Sequence, residues 1–427
     1  MGQLLSQPIT EKNITFVQHD HISHSIGEMQ GYRLSMEDAY CDINDTLPIK
    51  IRDPKLMKIV HELESKSISD SGVGVKSEGQ RTTFKEPHED LNDGHRHGKA
   101  ERPQIPRHEL NGNMLLKDHL HTDYVMKRVK FNIYGVFDGH GGSNTSRYMA
   151  ERLPSVLTRG LKGEIQKLSD EQKWKLIRGE DVLELINFPK VMKDAYMRLD
   201  SMYYHAPNND SGSTGVVALI FQGYFIVANA GDSRCVLSTS GAAKNMSLDH
   251  KPKHLGELMR IHNDGGYVAA NRVNSILALS RAFGDYNFKM HNSKNHGKFA
   301  LVRSKQKVKL TPPEEYQVTA EPDVFIRKIT TQDEFLIVAC DGVWDCYRPQ
   351  DLVHVIRHEL SLGKKLTDVN ELVLDSCIGM ANTVTGIGFD NMTLIIVALH
   401  QNYKDLNDWY THMKNKILDE KFGQLER

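Results

Sequence analysis

The sequence predicts an α+β fold, and three observations carry that prediction. Short β-rich apolar runs end in turns that hold an acid or a glycine. Helical patterns fall in separate runs between them and do not alternate strictly with the strands. Hydrophobic residues make up 39% of the 427 residues and charged residues 26%, which suffices for a sizeable core.

In chain order, residues 25–42 read as ordered, with Gly27, Gly31 and a compact run of charge. About residues 50–125 read as a largely disordered insertion. From His61 to Leu110 Phe84 stands alone as an aromatic, and such a stretch buries too little apolar surface to offset its ordering entropy. The run FNIYGVF then leads to Asp138. The runs GVVALIF and YFIVANA, split by Gln222-Gly223, predict two strands and a tight turn; together they fall short of the roughly 20 residues of a spanning helix. EFLIVAC leads to Asp341, and MTLIIVAL follows Asp390-Asn391. Helices are expected over 142–157, 180–204, 348–362 and 366–382. Residues 401–427 form a further segment, with a charged helix over 405–422. The basic stretch 289–317 is either a flap that steers acidic substrates or a solvated loop.

Charge and cysteine usage exclude several classes. With 54 Lys+Arg against 55 Asp+Glu the net charge is −1, so no field draws the whole chain onto nucleic acid or an anionic membrane. None of the 5 cysteines forms a C-x-x-C pair, which argues for reduced, packed thiols. The N-terminus lacks a secretory signal. Met1-Gly2-Gln3-Leu4-Leu5-Ser6 fits the acceptor pattern for myristoylation at Gly2, and one such chain gives only weak, reversible membrane association. A cytoplasmic monomer is the expectation, with the nucleus left open.

The acids carry the chemical signal. Asp138, Asp341 and Asp390 each stand at one end of a β-rich run, and Glu37-Asp38 follow Arg33. Singly, such acids are turn-formers. Gathered, two carboxylates 4–5 Å apart repel by roughly 3–4 kcal/mol at an effective dielectric near 20, and cations relieve that strain. Oxygen-only ligands suit Mg²⁺ or Mn²⁺, and an arginine beside them suits a phosphate. Spacing alone does not bring these acids together. Ser213 in SGSTG lacks the G-x-S-x-G spacing of a nucleophile, no cysteine has an arginine six positions on, and no H-E-x-x-H or P-loop motif occurs.

The blocks GYRLSMEDAY, YGVFDGHGG, SGSTG, ANAGDSR, DHKP, RVNSILALSRAFGD, EPDV, VACDGVWD and GFDNMTLIIV stand in one order from about residue 25 to 400. Together they resemble the metal-dependent type 2C protein serine/threonine phosphatases. The chain's two ends, with MGQLLSQPITEK and Asp408-Trp409, resemble a fungal subgroup. The resemblance implies a central β-sandwich of two antiparallel sheets flanked by α-helices, preceded by a segment 1–24 and interrupted at 50–125. It implies two Mg²⁺ or Mn²⁺ ions. Asp138 would bridge them, Gly139 would offer its carbonyl, Asp341 and Asp390 would ligate the other ion, and Glu37 and Asp38 would act through bound waters. Arg33 would grip the phosphate and His140 would protonate the leaving alkoxide. A hydroxide bridging the metals would attack phosphorus without a covalent phosphoenzyme. Phosphorylated proteins would be the substrates, and nucleic acid would not be a partner. The family often holds a third ion between the acid matching Asp345 and one shortly before S-G-S-T. Here that position is Asn209, with Asp210 one place later, a departure that weakens the case for a third ion. A scaffold that keeps the fold but not the chemistry is the rival, and a phosphatase for small metabolites is a weaker one.

Overall fold

The central strands are covered on both faces, and for that reason they read as unbroken apolar runs. The structure, a computed structural model, describes residues 4–53, 124–289 and 311–422. Strands β1 (Leu4–Gln18), β2 (Ile22–Arg33), β3 (Ala39–Arg52) and β4 (Tyr124–Phe137) precede the two-residue strands β5 (Gly139–His140) and β6 (Gly212–Ser213). Then come β7 (Gly215–Phe221), β8 (Tyr224–Ala230), β9 (Arg234–Thr239), β10 (Ala242–Asn245), β11 (Val268–Ala269) and β12 (Arg272–Val273). The last are β13 (Phe283–Gly284), β14 (Asp323–Lys328), β15 (Asp333–Ala339) and β16 (Met392–Leu399). The main helices are α1 (Asn144–Lys167), α2 (Asp170–Ile177), α3 (Phe188–Tyr203), α4 (Leu255–Asn263), α5 (Pro349–Ser361), α6 (Leu366–Gly379) and α7 (Leu406–Phe422).

The chain divides into two units, Met1–Leu47 with Arg128–Arg427, and Pro48–Lys127. In the first, one sheet has the order β1-β2-β16-β15-β9-β10 and a second the order β14-β8-β7-β4-β3. Their registered pairs are antiparallel. Side chains alternate along each strand. Ile395 and Val397 of β16 therefore meet Tyr134, Val136, Val216 and Val227 between the sheets. Leu394 and Ile396 point the other way, onto Val353, Ile356, Val373 and Trp409 of α5, α6 and α7. Each such fully buried aliphatic side chain contributes about 1.5–3 kcal/mol. On the outer face of the second sheet, the Tyr196 hydroxyl of α3 donates to the carbonyls of Gly215 at 3.2 Å and Ala228 at 3.1 Å. The architecture is the α+β sandwich flanked by helices that the sequence predicts.

The turn between β7 and β8 is as expected, with Gln222 at φ 45° and Gly223 at φ 79°, the two left-handed residues of a tight hairpin. Several boundaries differ, and the helix expected over 142–157 runs on to Lys167. From Leu4, the segment set apart as 1–24 belongs to the sandwich: β1 pairs with β2 from Leu4↔Arg33 to Gln18↔Ser23. The expected helix 180–204 is interrupted: a single turn at Val182–Leu185 ends at extended Ile186, and the long helix begins at Phe188, where the Asn187 side chain caps it by accepting from the Lys190 N–H at 3.0 Å, with Pro189 in its first turn. In the C-terminal segment, Leu406, Trp409, Met413 and Ile417 form the buried stripe of α7.

In the second unit, the Tyr124 hydroxyl accepts from Arg52 Nε at 3.2 Å, and the Lys50 ammonium lies 4.7 Å from the Tyr124 ring centre. The 50–125 insertion otherwise lies outside the described residues, as do Gly2 and most of the basic stretch 289–317. Lys289 itself is no flap cation: it is buried, and its ammonium binds Asp200 Oδ2 at 2.8 Å.

Candidate metal and phosphate site

The strand ends place the predicted acids. In the first sheet, β2 ends at Arg33, β15 ends just before Cys340-Asp341, and β16 begins just after Asp390-Asn391. These three strands are neighbours and antiparallel, so Arg33, Asp341 and Asp390 lie at one end of the sheet. From the second sheet, β4 ends at Phe137 and delivers Asp138 to the same place. Two glycines let the loops interlock. A Cβ on Gly139 would overlap the Glu37 carbonyl oxygen, and one on Gly342 would overlap the Asn391 carbonyl oxygen. Asn391 ties the arrangement together: its Oδ1 accepts from the Glu37 N–H at 2.9 Å, and its Nδ2 donates to the carbonyls of Gln30 at 2.8 Å and Ser35 at 3.0 Å.

Asp38, Asp138 and Cys340 each offer a ligand atom, all within 4.8 Å of one another. Asp38 is buried, and its Oδ2 accepts from the Thr393 hydroxyl at 2.8 Å. Burial first, and then the charge of Asp390, push its carboxyl up to about 7. Burial and the charges of Asp341, Asp38 and Asp390 hold Asp138 well above the usual carboxylate range. Asp341 is raised likewise by burial, Asp232, Asp390 and Asp345, and its carboxyl is hydrogen-bonded to that of Asp138. Carboxylates accept but do not donate, so two in contact need a proton or a cation between them. Burial keeps the Cys340 thiol well above its ordinary value, and the sulfur accepts from the Thr393 N–H at 3.1 Å. The charged donors are thus oxygens, a set that fits Mg²⁺ or Mn²⁺.

The other predicted residues border this cluster. Arg33 is ion-paired with Asp390, an arrangement the sequence reading did not assign to either; both must change partner for one to hold phosphate and the other a cation. The Glu37 carboxylate accepts from the Ser35 hydroxyl at 3.1 Å. His140 Nε2 lies 2.8 Å from Asp285 Oδ2. Burial would lower its pKa, but the Asp285 carboxylate outweighs burial and raises it. Asp345 interacts with Lys251, Asp232 and Arg234, whereas Asp210 is an exposed residue before β6 and Asn209 donates to the Tyr204 carbonyl at 2.7 Å.

Sequence reasoning gave no role to Asp232, Lys251, Asp285, Asn391 or Thr393. Asp232 is buried and ion-paired with Lys251. It follows β8 at a strand end like the other acids, so the same signal could have found it. Asp285 stands in the SRAFGD block, where no strand end marked it. A concavity of about 710 Å³ between β3 and α1, lined by Tyr40, Phe131, Glu151 and Arg159, is separate from this chemistry; a small anion needs charge more than volume.

The family model described as "Protein phosphatase 2C" matches residues 96–386, which include Asp138, His140 and Asp341 and leave Arg33, Glu37, Asp38 and Asp390 to either side. The chain is 35% identical over 452 residues to "Protein phosphatase 2C homolog 4" of Saccharomyces cerevisiae, covering 98% of each chain. It is 30% identical over 422 residues to "Protein phosphatase 2C homolog 3" of Schizosaccharomyces pombe, covering 98% of this chain and 74% of the relative. In fold it resembles the crystal structure of a phosphatase from Toxoplasma gondii, with a TM-score of 0.55 and 22% identity over 92% of this chain and 96% of that one.

Proposed function

The chain belongs to the protein phosphatase 2C family, and we propose that it hydrolyses phosphoserine and phosphothreonine in proteins with the help of two divalent cations. The observation that carries this reading is the meeting of Asp38, Asp138 and Asp341 from both sheets beside Asp390 and Arg33. Asp138, the Gly139 carbonyl, Asp341 and Asp390 would hold two Mg²⁺ or Mn²⁺ ions, with Glu37 and Asp38 orienting water around them. When bound, the ions supply a water acidic enough to attack phosphorus and neutralise charge on its oxygens, so no covalent phosphoenzyme is needed. Arg33, freed from Asp390, binds two phosphate oxygens in a fork. His140 gives a proton to the departing serine or threonine oxygen. Asp345, with Asp232 beside it rather than Asp210, is the place to seek a third ion.

Hydrolysis of a phosphoserine peptide, with Mn²⁺ or Mg²⁺ and then with excess chelator, tests this reading. Turnover that needs metal and that chelation abolishes is expected, with sugar phosphates hydrolysed far more slowly. No turnover with either metal, from folded protein, would contradict it and favour the scaffold.

A further inference from the structure

His140 and Asp285 are brought together by three two-residue strands, and we propose that Asp285 is a positioning residue that aims the His140 ring at the leaving oxygen. This rests on the reading of His140 as proton donor given above. The strands stand in the order β13-β6-β5, with Gly212 of β6 opposite both His140 and Gly284. A Cβ on Gly212 would overlap His140 Nε2 and the Asp285 carboxylate, so the imidazole and the carboxylate meet directly above this glycine. The SGSTG block thereby gains a role: it leaves room for the pair.

Asp285 is held from behind. Its backbone is left-handed at φ 52°, a conformation uncommon for a residue with a side chain. Buried Asp200 of α3 fixes the turn before it: Oδ1 accepts from the Gly284 N–H at 2.8 Å and Oδ2 from Lys289 Nζ at 2.8 Å. The Tyr286 hydroxyl donates to the Asp200 carbonyl at 2.6 Å. A strained residue anchored on both sides is a means of aiming one side chain. The Asp285 side chain is 9% exposed and that of His140 31%, so the carboxylate is withdrawn and the ring reaches out.

With Nε2 committed to Asp285, Nδ1 is the ring nitrogen left to face a substrate, and a second partner of this kind sets both tautomer and ring orientation. In the step served, the ester P–O bond breaks and a water oxygen bonds to phosphorus. The departing oxygen takes the Nδ1 proton, and the proton released by the attacking water restores it. Seryl or threonyl hydroxyl and inorganic phosphate leave.

The test compares Asp285→Asn, His140→Asn and the unaltered chain on a phosphoserine peptide and on p-nitrophenyl phosphate, both with Mn²⁺. A p-nitrophenolate departs without a proton, so loss of aimed proton donation spares that substrate. Asp285→Asn is expected to lower kcat on the peptide by about 100-fold, with KM and the aryl phosphate rate changed by at most a few-fold, and His140→Asn to show the same selectivity. If His140→Asn is selective and Asp285→Asn is not, the positioning role is overturned while the proton-donor reading stands. If His140→Asn itself is unselective, the proton-donor reading fails first. Ring ¹⁵N shifts of His140 in the unaltered chain give a second reading that needs no folded variant: a proton on Nε2 is expected, and a bare Nε2 would overturn the proposal.

Discussion

Two buried clusters of charge show what this molecule completes for itself and what it leaves to be completed. Around Glu257 on α4, the chain supplies its own cations. Arg260 donates to Oε2 and Arg281 to Oε1, each at 2.8 Å, and Arg281 also reaches Asp323 Oδ1 at 2.9 Å. Burial would raise the Glu257 carboxyl, but the two arginines outweigh it and the group sits at about 2. At the strand ends the sign is reversed. Asp38, Asp138 and Asp341 are all raised, first by burial and then by the charges of acids around them, Asp390 in every case. The chain cations nearby, Arg33 and Lys251, are ion-paired with the flanking acids Asp390 and Asp232. A cluster neutralised from within is a structural brace. One whose buried acids face further acids, with no chain cation left to them among the described residues, is a receptor for cations from outside.

The largest expected effect separates the two clusters by activity. Asp341→Asn removes a charge from the receptor and should cut phosphopeptide turnover by about 1,000-fold in saturating Mn²⁺. Glu257→Gln should leave the turnover of folded protein within a few-fold. Comparable losses from both, measured by steady-state kinetics, would erase the distinction.

A smaller effect separates them by stability. Glu257→Gln takes the shared carboxylate from two half-buried guanidinium groups, of which Arg281 keeps Asp323, and should cost about 2 kcal/mol in urea unfolding. The pH dependence follows from the sign of the shift. A carboxyl lowered by folding stabilises the protein fully above its ordinary value of 4.5 and loses that contribution as pH falls toward about 2. Glu257→Gln should therefore flatten the acid limb of the stability curve over that window, and an unchanged limb would place the brace elsewhere.

The same comparison explains what the sequence could reveal. β7, β15 and β16 were legible because both faces of each strand are covered, leaving unbroken apolar runs. β2 was not. Its Ser23, His24 and Ser25 are buried among polar partners: Ser23 bonds His400 Nε2 at 2.8 Å, His24 Nε2 lies 3.0 Å from Asp42, and Asn370 donates to Ser25 at 2.7 Å. No local pattern announces partners so distant in sequence. β1 is an edge strand that mixes charge with Pro8, and its apolar residues are too sparse to mark it. In the site, acids at strand ends could be found by position, and the motifs said which of them meet. The Arg33–Asp390 and His140–Asp285 pairs could not be found that way, because each joins residues more than a hundred positions apart through side chains that have many ordinary uses.

The most direct test of the central claim is the melting temperature of the purified chain with and without millimolar Mg²⁺, at about pH 5 and about pH 8. A carboxyl raised by folding favours the fold below its ordinary value and opposes it as pH rises through the folded value, here from 3.8 to about 7 for Asp38. The repulsion that cations relieve is therefore greatest at the higher pH. The account predicts a clear rise at pH 8, worth about 3 kcal/mol when Mg²⁺ stands a hundredfold above its dissociation constant, a smaller rise at pH 5, and little at either pH in Asp341→Asn. An unchanged melting temperature at both pH values, or an equal rise in Asp341→Asn, would contradict it.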